Sequence, residues 1–403
     1  MIVKSKIRGF ICTTAHPRGC AQNVKEQMAY VRKMGPVAKG PKKVLIVGSS
    51  TGYGLSSRIV TAFGCQAATV GVFFEKPAEN NKRTASAGWY NSVAFEQEAR
   101  AVGLYAKSIN ADAFSDEAKQ KIVEIVQQDL GPLDMVIYSL ASPRRRHPKT
   151  GKVSKSILRP RDIPFTNKSI DMDKNEIETV TLPPATEEEI QQTVDVMGGE
   201  DWQMWIEALA RANLLADGFL TIAYSYVGPE ITHAVYRHGT IGAAKDHLEA
   251  TAKALDKRLS KYHGHAYVSV NKALVTQSSS AIPFIPLYFI LLAKVMKEKG
   301  LHEDCIQQIY RLFAERLYNG KAVPVDEAGR IRVDDREMRS DVQVEVQKLW
   351  KQVANENLYQ ISDLKGYHED FLRLFGFGLQ GVDYEADVPI ETPPFMEVAS
   401  PTD

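Results

Sequence analysis

The chain has 403 residues, 44% hydrophobic and 25% charged, proportions that exclude a disordered, collagen-like or coiled-coil protein. Fifty lysines and arginines against 49 acids leave a net charge of +1, so bulk electrostatics make no case for nucleic acid or an anionic membrane as the main partner. A chain this long holds about two to three domains, or one large α/β unit with insertions.

The N-terminus, Met1-Ile2-Val3-Lys4-Ser5-Lys6, lacks the apolar stretch and small-residue cleavage site of a signal peptide. The first forty residues read as polar and irregular. Cysteines at 12, 20, 65 and 305 are too few and too scattered for a disulfide framework, and a reducing, cytoplasmic setting is expected. Cys12, His16 and Cys20 invite a metal reading, but no second Cys/His cluster completes four ligands. Loop or core cysteines are the plainer reading, and no metal is expected.

Lys43–Val47 is a short apolar run stopped by Gly48, the pattern of a strand buried on both faces. Similar runs follow at Ala67–Phe74, Asp134–Leu140, Phe219–Tyr226 and Ala266–Val270. Helical patterns separate them. Ser115 is a candidate N-cap ahead of Asp116 and Glu117, with Ile122, Ile125 and Val126 on one face. Leu248, Ala252, Leu255 and Leu259 repeat about every four residues. Strands alternating with helices predict a Rossmann-type, doubly wound parallel sheet, a single α/β domain over 1–403.

The stretch from Ser142 to about Pro184 breaks the alternation. It is rich in Lys, Arg, Pro and Asp and reads as an insertion with a hairpin at Ser169–Met172 and Ile177–Thr181. Two helices follow, parted by Gly198-Gly199, so the insertion is placed over 142–215. Residues 280–403 read as a helical, substrate-covering extension. It has an extended piece near Val323–Val333 and ends in a Pro-rich acidic surface tail. The most apolar run, Ala281–Ala293, is too short for a membrane span of about 20 residues.

Gly48-Ser49-Ser50-Thr51-Gly52-Tyr53-Gly54 lies between a strand and a helix. Glycines there permit a tight turn and close approach of backbone to a pyrophosphate, which the helix N-terminus then receives. Glu75 ends the second strand, 21 residues after Gly54. An acid there accepts hydrogen bonds from an adenosine ribose and repels a 2′-phosphate, which favours NADH over NADPH, although Lys76 adjoins it. Tyr236 and Lys245 are a candidate proton-delivery pair, because a nearby ammonium strengthens a phenol as donor. On one continuous helix, nine residues rotate about 180° and set the two apart. Gly239 and Gly242 make a break plausible, with Thr240 capping the helix that carries Lys245.

The glycine loop, Glu75, Tyr138-Ser139-Leu140-Ala141, the Tyr-x8-Lys spacing and Val270-Asn271-Lys272-Ala273-Leu274-Val275-Thr276 together resemble the trans-2-enoyl-CoA/acyl-carrier-protein reductases of the FabV type. So do Gly88-Trp89-Tyr90-Asn91 and Met197-Gly198-Gly199-Glu200-Asp201-Trp202. That family is an enlarged relative of the short-chain dehydrogenase/reductases, and the resemblance covers essentially the whole chain. It implies an NADH-dependent reductase of enoyl thioesters in fatty acid synthesis, monomeric, acting on enoyl-CoA or enoyl-acyl carrier protein. It implies Tyr236 as proton donor, Tyr226 at the substrate thioester and Lys245 at the nicotinamide ribose. The implied cofactor pocket is Gly48, Ser49, Ser50, Thr51, Gly52, Tyr53, Phe74, Glu75, Asp112, Ala113, Leu140, Ala141, Leu274, Val275 and Thr276.

Three features keep alternatives open. Ser139 and Ser225 would serve a ketoreductase or alcohol dehydrogenase, and a non-catalytic dinucleotide sensor would need only the cofactor pocket. The run Ile282–Ile290 either covers the cofactor and lines an acyl slot or is an ordinary core helix. Arg144-Arg145-Arg146-His147 either meets coenzyme A phosphates or an acidic carrier protein, or is a solvated basic loop.

Overall fold

A computed structural model describes residues 1–8, 11–80, 82–277, 282 and 284–398. Its centre is an eight-stranded sheet, every pair parallel. The strands, numbered along the chain, are β1 (Lys43–Val47), β2 (Ala68–Phe73), β3 (Ala106–Asn110), β4 (Leu133–Tyr138), β5 (Leu215–Ser225), β6 (His265–Val270), β7 (Arg330–Arg332) and β8 (Met396–Glu397). Their spatial order is β7-β6-β5-β4-β1-β2-β3-β8. The winding reverses between β1 and β4, where Val47 pairs with Tyr138. Crevices beyond the carboxyl ends of strands at such a reversal are where α/β sheets bind ligands.

Period-two alternation divides each strand between two covered faces. Val44 and Ile46 pack with Leu55, Ile59, Met28, Phe95 and Ile309 on one side. Leu45 and Val47 pack with Ile122, Ile125, Trp202, Trp205 and Leu248 on the other. Both faces being apolar is what makes β1 read as an unbroken hydrophobic run. Five of the eight strands match the predicted runs within a few residues. Ser115 caps the helix Asp116–Asp129, its hydroxyl accepting from the Ala118 N–H at 3.0 Å. The predicted hairpin pairs Phe165–Asp171 with Glu176–Leu182, and the helices Glu187–Met197 and Glu200–Arg211 flank Gly198-Gly199.

Three expectations are corrected. The first forty residues are not irregular: Pro17–Met34 is a helix whose Cys20, Val24, Met28 and Val31 form a buried stripe. His16, considered for metal, caps it through Nδ1, which accepts from the Gly19 N–H at 3.1 Å. Strand β3 was missed, because Lys107 and Asn110 interrupt its apolar pattern. The acidic tail is not a surface tail throughout. Val388 and Ile390 are buried, Phe395 packs edge-on against Phe73 and Trp89 at 5.1 and 4.8 Å, and β8 extends the sheet beside β3. Of the apolar run near 282–290, Ala281 and Pro283 lie outside the described residues, and Ile285–Glu298 is a helix with nearly every early side chain buried. Among the described residues no helix is long and apolar enough to cross a membrane.

Candidate active site

The loop after β1 turns at Gly48, whose φ of 86° is the left-handed region that favours glycine. A Cβ on Gly54 would overlap the carbonyl oxygen of Gly48, so the helix Gly52–Ile59 can begin tightly against the loop only with glycine there. Its N-cap, Thr51, makes no side-chain capping bond, which leaves the first N–H groups open toward the crevice. The loop therefore fits a dinucleotide pyrophosphate.

At the end of β2, the Glu75 carboxylate accepts from the Ser50 hydroxyl at 2.7 Å, while Asn110 exchanges two hydrogen bonds with the Glu75 backbone. Burial raises the pKa of Glu75, and hydrogen bonds from Ser86 and Ser50 oppose that shift. The carboxylate is thus fixed beside the glycine loop by groups at 50, 86 and 110. Phe74 is largely exposed on the same rim.

One cavity of about 1810 Å³ runs from this loop across the carboxyl end of the sheet. It is lined by Gly48, Ser50, Thr51, Gly52, Tyr53, Phe74 and Glu75, and by Asp112, Ala113, Leu140 and Ala141. Leu274, Val275, Thr276, Tyr226, Tyr236 and Lys245 complete it at the other end. Ser49 is the exception among the sequence candidates. It is fully buried beneath the loop, with its N–H and hydroxyl directed at the Val72 carbonyl.

The predicted helix break occurs. A short helix, Glu230–His233, ends before Tyr236, and a new helix, Thr240–Leu259, carries Lys245. The cap is Gly239 rather than Thr240. The Thr240 hydroxyl instead donates to the Ile157 carbonyl and accepts from the Arg159 N–H at 3.3 Å, clamping the insertion onto this helix. The break brings both side chains to the same cavity.

Neither the Tyr236 hydroxyl nor the Lys245 ammonium has a hydrogen-bond or ion-pair partner among the described residues. Burial, helped by the charge of Glu337, raises the pKa of Tyr236 and holds the phenol protonated. Burial lowers the pKa of Lys245 to about 8, with Glu249 opposing. Tyr226 differs: its hydroxyl donates to Glu337 Oε1 at 2.9 Å. Its ring meets that of Tyr236 nearly perpendicular, centroids 4.8 Å apart.

Further contacts complete the site, and of the residues that make them Gln308 and Glu337 escaped the sequence reading. Tyr53 donates to the Lys272 carbonyl and accepts from Gln308, both at 2.8 Å, tying the glycine loop to the loop after β6. Ser225 Oγ and Asn271 Nδ2 line the cavity wall, buried and unpartnered among the described residues. Glu337 is wholly buried, 111 residues from Tyr226, and no local pattern marks it. The helix from Ile285 contributes Phe289 to the cavity, with Ile282 just before it. The ribbon pairing Arg144–Arg146 with Val153–Lys155 contributes Arg144, Arg146 and Val153, while Arg145 turns inward to Glu200 at 2.7 Å.

The chain matches three family descriptions in succession: an NAD(P)H binding domain of trans-2-enoyl-CoA reductase over residues 2–80, the trans-2-enoyl-CoA reductase catalytic region over 83–318, and an enoyl reductase FAD binding domain over 325–388. It is 61% identical to an enoyl-[acyl-carrier-protein] reductase [NADH] of Flavobacterium johnsoniae over 96% of this chain and 97% of that one. A protein of the same name from Coxiella burnetii is 58% identical, covering 97% of each. The trans-2-enoyl-CoA reductase of Clostridium acetobutulicum in complex with NADH superposes with a TM-score of 0.94 at 46% identity, covering 97% and 98%. That of Treponema denticola in complex with NAD gives 0.93 at 48% identity, covering 99% and 100%.

The glycine loop and cavity fit a nicotinamide dinucleotide. The segment 325–388 does not fit a flavin. Val342, Val346, Leu364, Tyr367 and Phe371 fill its interior against the helix Ile285–Glu298, and it reaches the cavity only through Asp370, Arg373 and Leu374.

Proposed function

The chain belongs to the trans-2-enoyl-CoA/enoyl-acyl-carrier-protein reductase family, and we propose that it reduces the trans-2 double bond of enoyl thioesters with NADH, for fatty acid synthesis. The observation that carries the assignment of roles is a pair of groups without a hydrogen-bond or ion-pair partner among the described residues, the Tyr236 phenol and the Lys245 ammonium, in the wall of the cavity that begins at the glycine loop.

Bound reduced nicotinamide supplies a hydride to Cβ of the unsaturated thioester. Gly48 and Ser50 through Tyr53 hold the dinucleotide's phosphates, Leu140, Ala141 and Leu274–Thr276 flank its far half, and Lys245 holds the ribose. Charge then develops on the thioester oxygen. Tyr236, protonated and without a competing acceptor among the described residues, donates to that oxygen, and such a preorganised donor is worth about 3 kcal/mol. Tyr226 cannot supply the same bond while its one proton is engaged by Glu337. It contacts the thioester through its ring. Lys245 adds positive charge beside the same oxygen, and protonation at Cα completes the reduction.

Glu75 selects NADH over NADPH, since a carboxylate fixed beside the ribose opposes a 2′-phosphate. Coenzyme A or acyl carrier protein presents the substrate. The reading is of a cytoplasmic monomer.

An assay of NADH consumption tests the reading. Crotonyl-CoA should be turned over and acetoacetyl-CoA should not. Turnover of the ketone alone would establish the ketoreductase, and tight NADH binding without turnover of any thioester would establish a sensor.

A further inference from the structure

Glu337 lies in the loop after β7, far in sequence from every element of the glycine-loop pocket, and its side chain is wholly buried. Its Oε1 accepts from the hydroxyls of Tyr226 at 2.9 Å and Tyr288 at 2.8 Å, and its Oε2 accepts from the Ala273 N–H at 2.7 Å. Those donors come from the end of β5, the helix Ile285–Glu298 and the loop after β6. Gln343 braces the arrangement, donating to the Glu337 carbonyl at 2.8 Å and to the Tyr288 hydroxyl at 3.1 Å.

Three donors and no competing acceptor are the surroundings of a carboxylate rather than a carboxylic acid. Burial pushes the pKa of Glu337 up, and the charge of Lys272, the Ala273 N–H and the Tyr288 hydroxyl oppose that shift; Lys272 is itself buried, and its ammonium donates to the Ala273 carbonyl at 2.8 Å. A phenol carries one proton. While Glu337 is ionised, that of Tyr226 points at Glu337, away from any thioester, and the ring stands edge-on to Tyr236.

We infer that Glu337 is a positioning residue of the reductase reaction. By accepting the hydrogen bond of the Tyr226 hydroxyl and fixing that ring against Tyr236, it leaves Tyr236 as the phenol able to donate to the substrate oxygen. The inference rests on the reductase reading. It adds a role for the C-terminal segment, which reaches this centre through Glu337 without touching the substrate.

The test is a double-mutant cycle on the full-length enzyme with crotonyl-CoA and NADH, using Glu337→Gln, Tyr226→Phe and the combination. Glutamine keeps the size but places an amide N–H against one of the three donors. If Glu337 acts through Tyr226, Glu337→Gln lowers kcat by about tenfold with the KM for NADH changed less than about twofold, a partial loss of the roughly 10²–10⁴-fold that general acid catalysis contributes. Glu337→Asp then recovers part of kcat. Tyr226→Phe changes kcat much less in the Glu337→Gln background than in the natural enzyme.

Equal effects of Tyr226→Phe in both backgrounds would overturn the inference, as would an unchanged kcat in Glu337→Gln. If Glu337→Gln fails to fold, Tyr288→Phe takes its place in the cycle, since it removes one donor from the same carboxylate; coupling with Tyr226→Phe supports the inference and additivity overturns it. A natural enzyme inactive on crotonyl-CoA would refute the reductase reading itself, a separate outcome.

Discussion

The two ends of the cavity are built in different ways. At the glycine-loop end, one contiguous strand–loop–helix unit, residues 43–59, supplies the turn, the close backbone approach and the helix N-terminus, and Glu75 arrives from the next strand. At the tyrosine end, Tyr226, Tyr236, Lys245, Ala273, Tyr288 and Glu337 come from six separate stretches. A phosphate needs backbone N–H groups in a fixed local geometry, which a short segment can encode. Stabilising an oxyanion needs side chains converging on one point from several directions, which only the assembled fold can encode.

The largest effects should come from the tyrosine end. Tyr236→Phe and Lys245→Met should each lower kcat by at least about tenfold while the circular dichroism spectrum stays unchanged, because general-acid alignment is worth 10²–10⁴-fold. Near-natural kcat in both would break the comparison by showing that the unpartnered pair has no chemical role. At the loop end, Gly54→Ala should weaken NADH binding by about tenfold, since the added methyl overlaps the Gly48 carbonyl and overpacking costs roughly 1–3 kcal/mol. Unchanged affinity by fluorescence titration would mean the loop has slack.

A smaller effect should appear with pH. Burial depresses Lys245, so its ammonium is present below about pH 8 and lost above it. The KM for NADH should stay flat below that point and rise as pH passes through it, by about tenfold at most per unit. A flat profile to pH 10 would show that the ribose does not depend on this charge. Smallest of all, Glu75→Ala should narrow the NADH-over-NADPH preference by several-fold, as expected of one partly solvated charge. An unchanged ratio of kcat/KM values would place discrimination elsewhere.

The same contrast explains what the sequence disclosed. The runs at 43–47 and 134–138 were legible because their strands are buried on both faces. β3 and β8 were not, since Lys107 and Asn110 interrupt one and the other is two residues long. The break at Gly239 was legible from glycine spacing, but which residue caps the new helix was not. The Thr240 hydroxyl is recruited by Ile157 and Arg159, a tertiary contact more than 80 residues away. The buried end of the tail, Val388 and Ile390, hid inside a Pro-rich acidic composition that describes its solvent-facing neighbours. Glu337 looked like any surface acid in a charged run, because its meaning depends on hydroxyls from two distant elements.

The most direct test is a crystal structure of the enzyme with NADH and butyryl-CoA, a saturated thioester that cannot be reduced. The Tyr236 hydroxyl should lie within about 3 Å of the thioester oxygen, the Lys245 ammonium on the nicotinamide ribose, and the Tyr226 hydroxyl still within hydrogen-bond distance of Glu337. A thioester oxygen bonded to Tyr226 instead, with Tyr236 and Lys245 on opposite sides of the nicotinamide, would contradict this arrangement.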